Sequence, residues 1–518
     1  MKLKKKLCFA AIIMFAVGSA IAEITLPKIF SDGMVLQRDM PLKIWGKATP
    51  NARIGIEFAG KKKMTKSDKD GKWEFVLDSL PSSKEPLEMT LLENGKADKN
   101  IKDILVGEVW ITAGQSNMEW ARKNTTEAKD AKERAKSYNL MRVFRQPHQI
   151  SLEKEWDSPS GSKWHDVESQ DAMNAIGFYF GEILLKDLDV PIGLVETPLG
   201  GSAMRAWIPQ ESFAGVKFLE DRQAEFKKQL ENYNYEVEFK NWNERKKAYD
   251  AEVAKLKKEG KEVPQAPFNV RTVPNKTSPQ RYQETPSGLF NAKIAPIAGY
   301  AARGVIWYQG ESDAGGASLE SFVEQFEKLV DAWRKAWGNE DLYFFWAQLT
   351  SYSTKADWGL TRWKQLQCAD VVKKSGIINI IDLGEENDIH PKDKTTVGKR
   401  FAMLVLKDVY GKKGIHAYAP VLKNAKYGPR GVEVFFETYG RKLVGKGDPR
   451  GFEVLVGDKW EPAKVEMLGR RVLVKPVSGN VADVQGVRYL WKSWAQPDVW
   501  LFNGDGLPVF SFTHLKEK

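Results

Sequence analysis

The stretch Ile104–Trp120 limits the fold more than any other part of the chain. It reads ILVGEVWITAGQSNMEW: an apolar run, a glycine, a polar turn, then residues that suit a helix. Leu105, Val106, Val109, Trp110 and Ile111 are apolar and favour extended backbone, so the run predicts a strand covered on both faces. Gly114 supplies backbone freedom at the strand end. Ser116 then falls in the turn at the carboxyl edge of the sheet, where open α/β sheets hold their ligands. It also stands near a helix N-terminus, whose free N–H groups and dipole favour developing negative charge. That position suits a nucleophile, and it equally suits an ordinary N-cap serine. The Gly-x-Ser-x-Gly elbow of α/β-hydrolases is not met, because Met118 stands where glycine is required.

Upstream, Met1–Ala22 has the plan of an export signal. Lys2, Lys4, Lys5 and Lys6 precede the apolar segment Leu7–Val17, and Ala20-Ile21-Ala22 is a small-x-small cleavage site. The apolar segment is too short to span a bilayer, so the mature chain, expected to begin at Glu23, is not predicted to insert in a membrane. Cleavage would remove four lysines and take the formal charge from +11 to +7. It would also leave Cys368 as the one cysteine, so the cores must stabilise the protein without a disulfide. The remaining charge is scattered, with no aromatic-interleaved basic stripe, which argues against a nucleic-acid partner. Eighteen tryptophans favour sugar stacking weakly, since most indoles in a large chain are core.

Residues 23–103 carry short β-like runs separated by turn signals such as Ser31-Asp32-Gly33 and Asp70-Gly71, the pattern of a small β-sandwich. From 104 to 413 strands alternate with helices. Ala175–Leu188, Leu319–Trp337 and Leu360–Lys374 read as helices, each followed by a strand: Ile192–Glu196, Tyr343–Leu349 and Ile377–Leu383. That alternation predicts an α/β domain with a parallel sheet. Residues 211–279 interrupt it with a charged helical insert, Glu211–Glu262, and a proline-rich return loop. Residues 414–518 are strand-rich again and predict a second β domain.

A serine hydrolase needs a base. Of the five histidines, His390 has the best setting, on a loop after a predicted strand and close to Asp382, Glu385, Glu386 and Asp388. An acidic surface turn around a histidine would look the same. Two more stretches reach the same edge. Leu194–Ser202 ends in Gly200-Gly201, whose N–H groups can face a ligand, and Val305–Ser312 presents the Gln309 amide. The Ser116 N–H, a Gly200 or Gly201 N–H and Gln309 together make a three-donor oxyanion hole.

Taken together, these blocks resemble the sialate O-acetylesterase branch of the SGNH hydrolases. Gly114-Gln-Ser-Asn-Met118 is similar to its nucleophile block, and Gly200-Gly201 with Ala206-Trp207 to its glycine block. Trp307-Tyr-Gln-Gly-Glu-Ser312 matches a very characteristic third block, and Asp388-Ile-His-Pro391 the histidine block. Phe30–Arg38 and Gly506–Pro508 extend the likeness over most of the mature chain.

The resemblance implies an SGNH-type three-layer α/β/α hydrolase domain flanked by N- and C-terminal β-sandwich-like domains. It implies a Ser116–His390–Asp388 triad, no metal and no cofactor, and sugar contacts from Gln115, Asn117 and Glu311. The implied substrate is an O-acetylated sugar or glycan, foremost a 9-O-acetylated sialate, handled in the periplasm or outside the cell. The alternatives are an acetyl xylan or other glycan esterase, or a carbohydrate-binding protein with a decayed hydrolase core. Two departures stand out. The family's triad acid lies three residues before the histidine, where this chain has Asn387, so Glu386 and Asp382 stay beside Asp388 as candidates. The glycine block reads Thr-Pro-Leu-Gly-Gly-Ser, without the expected aromatic.

Overall fold

The computed structural model describes residues 23–271 and 273–517; the export signal expected at 1–22 lies outside them. The strand expected from Ile104 starts earlier and runs from Lys96 to Gly114 (β1). Its first half pairs antiparallel with Ser83–Glu93 in an N-terminal sheet, and its second half is the middle of the main sheet. Asp103, with φ 56°, sits between the two halves, and its carboxylate accepts a hydrogen bond from Arg142 at 2.7 Å. The expected boundary between residues 103 and 104 therefore falls inside one continuous strand. A separate two-stranded sheet, Leu42–Lys47 with Lys72–Leu77, faces this N-terminal sheet across a shared core. Trp73, Phe75 and Leu77 alternate inward along its second strand, as the two-residue period of a strand requires.

The main sheet adds Met141–Arg145 (β2), Lys163–Asp166 (β3), Ile192–Glu196 (β4), Gly304–Tyr308 (β5), Tyr343–Ala347 (β6) and Ser375–Ile378 (β7). Their order is β7-β6-β5-β1-β4-β2-β3, and every pairing is parallel except that of the edge strand β3. β4 and β5 are buried along their whole length, as is β1 from Ile104 to Gly114. Strands added after β1 lie to one side or the other of it, which makes its carboxyl end the topological switch point of the sheet.

Helices cover both faces. Ser116–Glu119 (α1) follows β1, and Ala175–Leu188 (α2) packs with Lys394–Asp408 (α7) on one side. Phe322–Trp337 (α5) and Trp358–Val371 (α6) pack together on the other. Phe322, Phe326, Leu329, Val330, Trp333 and Trp337 recur at helical spacing and make the buried stripe of α5. The insert between β4 and β5 carries Lys217–Glu231 (α3) and Tyr235–Lys258 (α4). α3 buries only Leu219 and Phe226, and α4 buries no residue, in keeping with their charged composition. Among the described residues no helix is long and apolar enough to cross a membrane.

Three expectations change. The helix expected over Leu319–Trp337 is broken at Ser321, with a short helix Gly316–Glu320 before α5. The strand expected over Ile377–Leu383 stops at Ile378, and Ile381–Leu383 forms a 3-10 turn. Asn379 explains the stop: its side chain accepts the Ile381 N–H at 3.1 Å and donates to the Pro508 carbonyl at 2.9 Å. The C-terminal unit is not a sandwich of two facing sheets. Seven antiparallel strands, from Val421–Gly428 to Phe512–Leu515, form one nearly barrel-like sheet around a single core, with a two-stranded addition. This unit braces the carboxyl edge of the main sheet: buried Arg362 of α6 donates to the Leu490 carbonyl at 3.2 Å, and Gln496 donates to the Gly384 carbonyl at 3.3 Å.

Candidate active site

Four strand ends meet at the carboxyl edge of the sheet. Gly114 ends β1 with φ 129°, and a Cβ there would lie 2.2 Å from the Tyr308 carbonyl oxygen, so only glycine lets β1 and β5 turn out side by side. Gln115 extends the turn: its N–H donates to Tyr308 O at 2.9 Å. Ser116 is the first residue of α1, so its N–H has no acceptor within the helix. The serine is half-buried and no described residue bonds its hydroxyl.

The glycine turn packs directly on this serine; a Cβ on Gly200 would lie 3.4 Å from Ser116 Cβ. The Gly200 N–H is already taken, donating to Glu119 at 2.5 Å. The Gly201 N–H, by contrast, makes no hydrogen bond to a described residue, and Gly201 holds φ 70°. Of the two candidates for the oxyanion hole, Gly201 is the one with a donor to spare.

Glu119 was not singled out by sequence. Its other oxygen lies 2.5 Å from His148 Nε2. Burial alone would raise its carboxyl, but His148, the Gly200 N–H and Lys293 together hold it below the ordinary range. Lys293 is fully buried, and that burial pushes its ammonium down to about 8 against the pull of Glu119 and Glu196.

The Gln309 amide departs from its expected role. Both of its N–H groups are spent, one on the Ser202 carbonyl at 3.1 Å and one on Asp313. Asp313 also accepts the Met204 N–H at 2.8 Å, so Gln309 and Asp313 brace the glycine turn from beneath. As oriented here, the amide offers nothing to an oxyanion.

Gln115 and Asn117, expected to touch the sugar, are buried and bonded to protein instead. Gln115 Oε1 accepts the Ser312 N–H at 3.2 Å. Asn117 donates to Glu311 at 2.6 Å and to the Ile389 carbonyl at 3.0 Å, and accepts from Lys394 at 2.6 Å. Asn117 thus ties the helix that starts at Ser116 to the third block and to the residue before His390. Glu311 keeps one carboxylate oxygen buried and unpartnered, and burial raises its carboxyl although the Asn117 bond opposes the shift.

His390 lies half-buried on the loop after the 3-10 turn, stacked on Trp120 with ring centroids 5.3 Å apart. Asp388 Oδ1 accepts the His390 backbone N–H at 2.8 Å and stands 3.8 Å from Nδ1, close enough for charge but not for a hydrogen bond. Asp382 is committed elsewhere, to Arg400 through two bonds of 2.6 and 2.7 Å. Glu386 is exposed. Burial, then the Lys394 cation, hold the His390 imidazolium below its usual range, with Asp388 opposing. Lys394 was missed because Lys392-Asp393-Lys394 reads as a solvated charge run. It is buried, and burial pushes its ammonium down to about 7 against four nearby carboxylates, Glu311 foremost. Among the described residues no cluster of three or more His, Cys, Asp or Glu is arranged to hold a metal ion.

A family model for carbohydrate esterases, sialic acid-specific acetylesterase, matches residues 106–267 and 278–407, a span that holds all of these groups. The chain belongs to this family. It is a carboxylic ester hydrolase. The chain is 26% identical to the sialate O-acetylesterase of Mus musculus over 89% of this chain and 88% of that protein. To the Homo sapiens sialate O-acetylesterase it is 24% identical, over 93% and 90%. A carbohydrate acetylesterase from Xanthomonas citri shares the fold, with a TM-score of 0.77 and 28% identity across 95% of this chain and 99% of that one.

Proposed function

We propose that this enzyme removes acetyl groups from the 9-hydroxyl of sialic acids, and that it works after export. The observation that carries the reading is the bond from Asn117 to Ile389, which holds the serine helix and the histidine loop together beside the glycine turn. A reacting ester carbonyl fits where those three elements converge. Ser116 attacks the acetyl carbon while His390 takes the hydroxyl proton. The oxyanion that forms is held by the Ser116 and Gly201 N–H groups at the positive end of α1. His390 then protonates the departing sugar oxygen, and water clears the acetyl group by the same steps in reverse order. Asp388 stabilises the imidazolium by its charge.

The relatives named above favour sialate over other acetylated glycans, and the sequence of Met1–Ala22 favours export. The test is acetate release by the purified enzyme from 9-O-acetylated sialic acid, acetylated xylan and acetylated pectin in parallel. Preference for either plant polymer would replace the sialate reading, and no release from any ester would point to a carbohydrate-binding protein. An intact N-terminus in the protein recovered from its native cells, in place of one at Glu23, would overturn export.

A further inference from the structure

We propose that Trp120 is the positioning residue for His390: its indole face holds the imidazole in the orientation from which it serves Ser116. The proposal rests on the esterase reading, in which His390 takes the serine proton. In a Ser–His–Asp triad the acid bonds the imidazole and sets its orientation. Asp388 does not do so here. It spends Oδ1 on the His390 backbone N–H and stands 3.8 Å from Nδ1, too far for a hydrogen bond. No other described residue hydrogen-bonds either ring nitrogen. An imidazole that is 30% exposed and lacks a hydrogen bond has room to turn. What holds its plane is the stack on Trp120, with centroids 5.3 Å apart and the two rings 20° from parallel.

The indole is well placed and itself held. Trp120 follows α1 directly, four residues after Ser116, and positions four apart are neighbours on one side of a helix. Its Nε1–H donates to Asn124 O at 3.1 Å, and its backbone carbonyl accepts the Ala175 N–H at 2.8 Å, at the start of α2. Asn117, three residues earlier, donates to the Ile389 carbonyl at 3.0 Å. One short segment thus grips the histidine loop twice, by the backbone at Ile389 and by the side chain at His390. The grip on the side chain is the one that decides where the ring nitrogens point. An indole face also attracts the imidazolium that forms on proton transfer, and so offsets part of the repulsion from Lys394.

The experiment uses the full chain and p-nitrophenyl acetate, which carries no sugar to stack on Trp120. Trp120→Leu lowers kcat about ten-fold to a hundred-fold, the scale on which misplacing a reacting group is felt, and leaves KM little changed. Trp120→Phe keeps a ring for the imidazole and recovers most of kcat. Proton NMR reads the stack itself. The His390 ring signal, identified by its disappearance in His390→Asn, lies upfield of free histidine in the wild type because of the indole ring current. It stays upfield in Trp120→Phe and moves downfield in Trp120→Leu. Wild-type kcat in Trp120→Leu, equal losses in the two variants, or a loss confined to KM overturns the proposal. So does a wild-type His390 signal with no upfield displacement, a result that stands even where Trp120→Leu does not fold. Failure of the esterase reading is seen separately, as wild-type enzyme that releases no acetate from p-nitrophenyl acetate or as His390→Asn with wild-type turnover.

Discussion

Lys394 places its ammonium 2.6 Å from the side-chain oxygen of Asn117, the residue next to Ser116, and it lies four residues after His390. One buried cation therefore touches the serine helix and acts electrostatically on the His390 imidazole. Its ammonium also faces the rings of Trp120 and Tyr308, at 5.8 and 5.9 Å from their centroids. With its own titration near 7, Lys394 is charged across the acid range in which His390 titrates. A positive neighbour disfavours the imidazolium, so His390 stays neutral to lower pH. Replacing Lys394 by Met removes that repulsion, and the acid limb of kcat/KM moves to higher pH. The rate at the optimum falls by about ten-fold or more, because Asn117 loses its anchor; general-base help is worth about 10²–10⁴-fold in all. A pH–rate profile checks this. An acid limb that stays in place would leave Lys394 with a packing role alone.

Ser116→Ala is expected to lower kcat by several orders of magnitude with little change in the melting temperature. The serine hydroxyl bonds no described residue, so its loss leaves nothing unpaired. Turnover near the wild-type level in the purified variant would remove Ser116 from the mechanism.

The triad acid separates by comparison. Asp388→Asn should cost much of kcat, because this carboxylate is the one 3.8 Å from the imidazole. Asp382→Asn should instead lower stability and largely spare kcat, since it breaks a two-bond pair with Arg400 away from the ring. Glu386→Gln should be silent in both assays. If Asp388→Asn keeps its kcat while Glu386→Gln loses it, the acid is Glu386.

These contrasts show where the sequence was informative. α2 and β4 begin and end where the pattern of Ala175–Leu188 and Ile192–Glu196 places them, because period and length agree there. Ile377–Leu383 misled because its apolar run is interrupted in space by Asn379, whose partner Pro508 lies 129 residues away. Gly200 and Gly201 look alike in sequence, and Glu119, which takes the N–H of the first, is 81 residues upstream. Lys394 failed to register for the same reason: its neighbours in the chain are charged, while its neighbours in space are Asn117, Trp120 and Tyr308. Local periodicity carries elements; it does not carry the partners of a buried polar side chain.

Gln309 offers the sharpest disagreement between motif and geometry. As an oxyanion donor, its loss would lower kcat by about 10²–10³-fold and leave folding untouched. Bonded as it is to Asp313 and the Ser202 carbonyl, its loss leaves two buried acceptors short of a donor, at about 1–3 kcal/mol each. Gln309→Ala should then reduce both the melting temperature and kcat, the latter because the glycine turn loses its brace. Gln309→Glu separates the two roles further. It replaces the donating amide with a carboxylate facing Asp313, and like charges in a buried pair are costly. The expected result is an enzyme destabilised more by Glu than by Ala, with kcat recovering as the pH falls and the new carboxyl takes up a proton that it donates to Asp313. An alanine variant that melts like wild type yet loses about a hundred-fold or more in kcat would return the amide to the oxyanion hole.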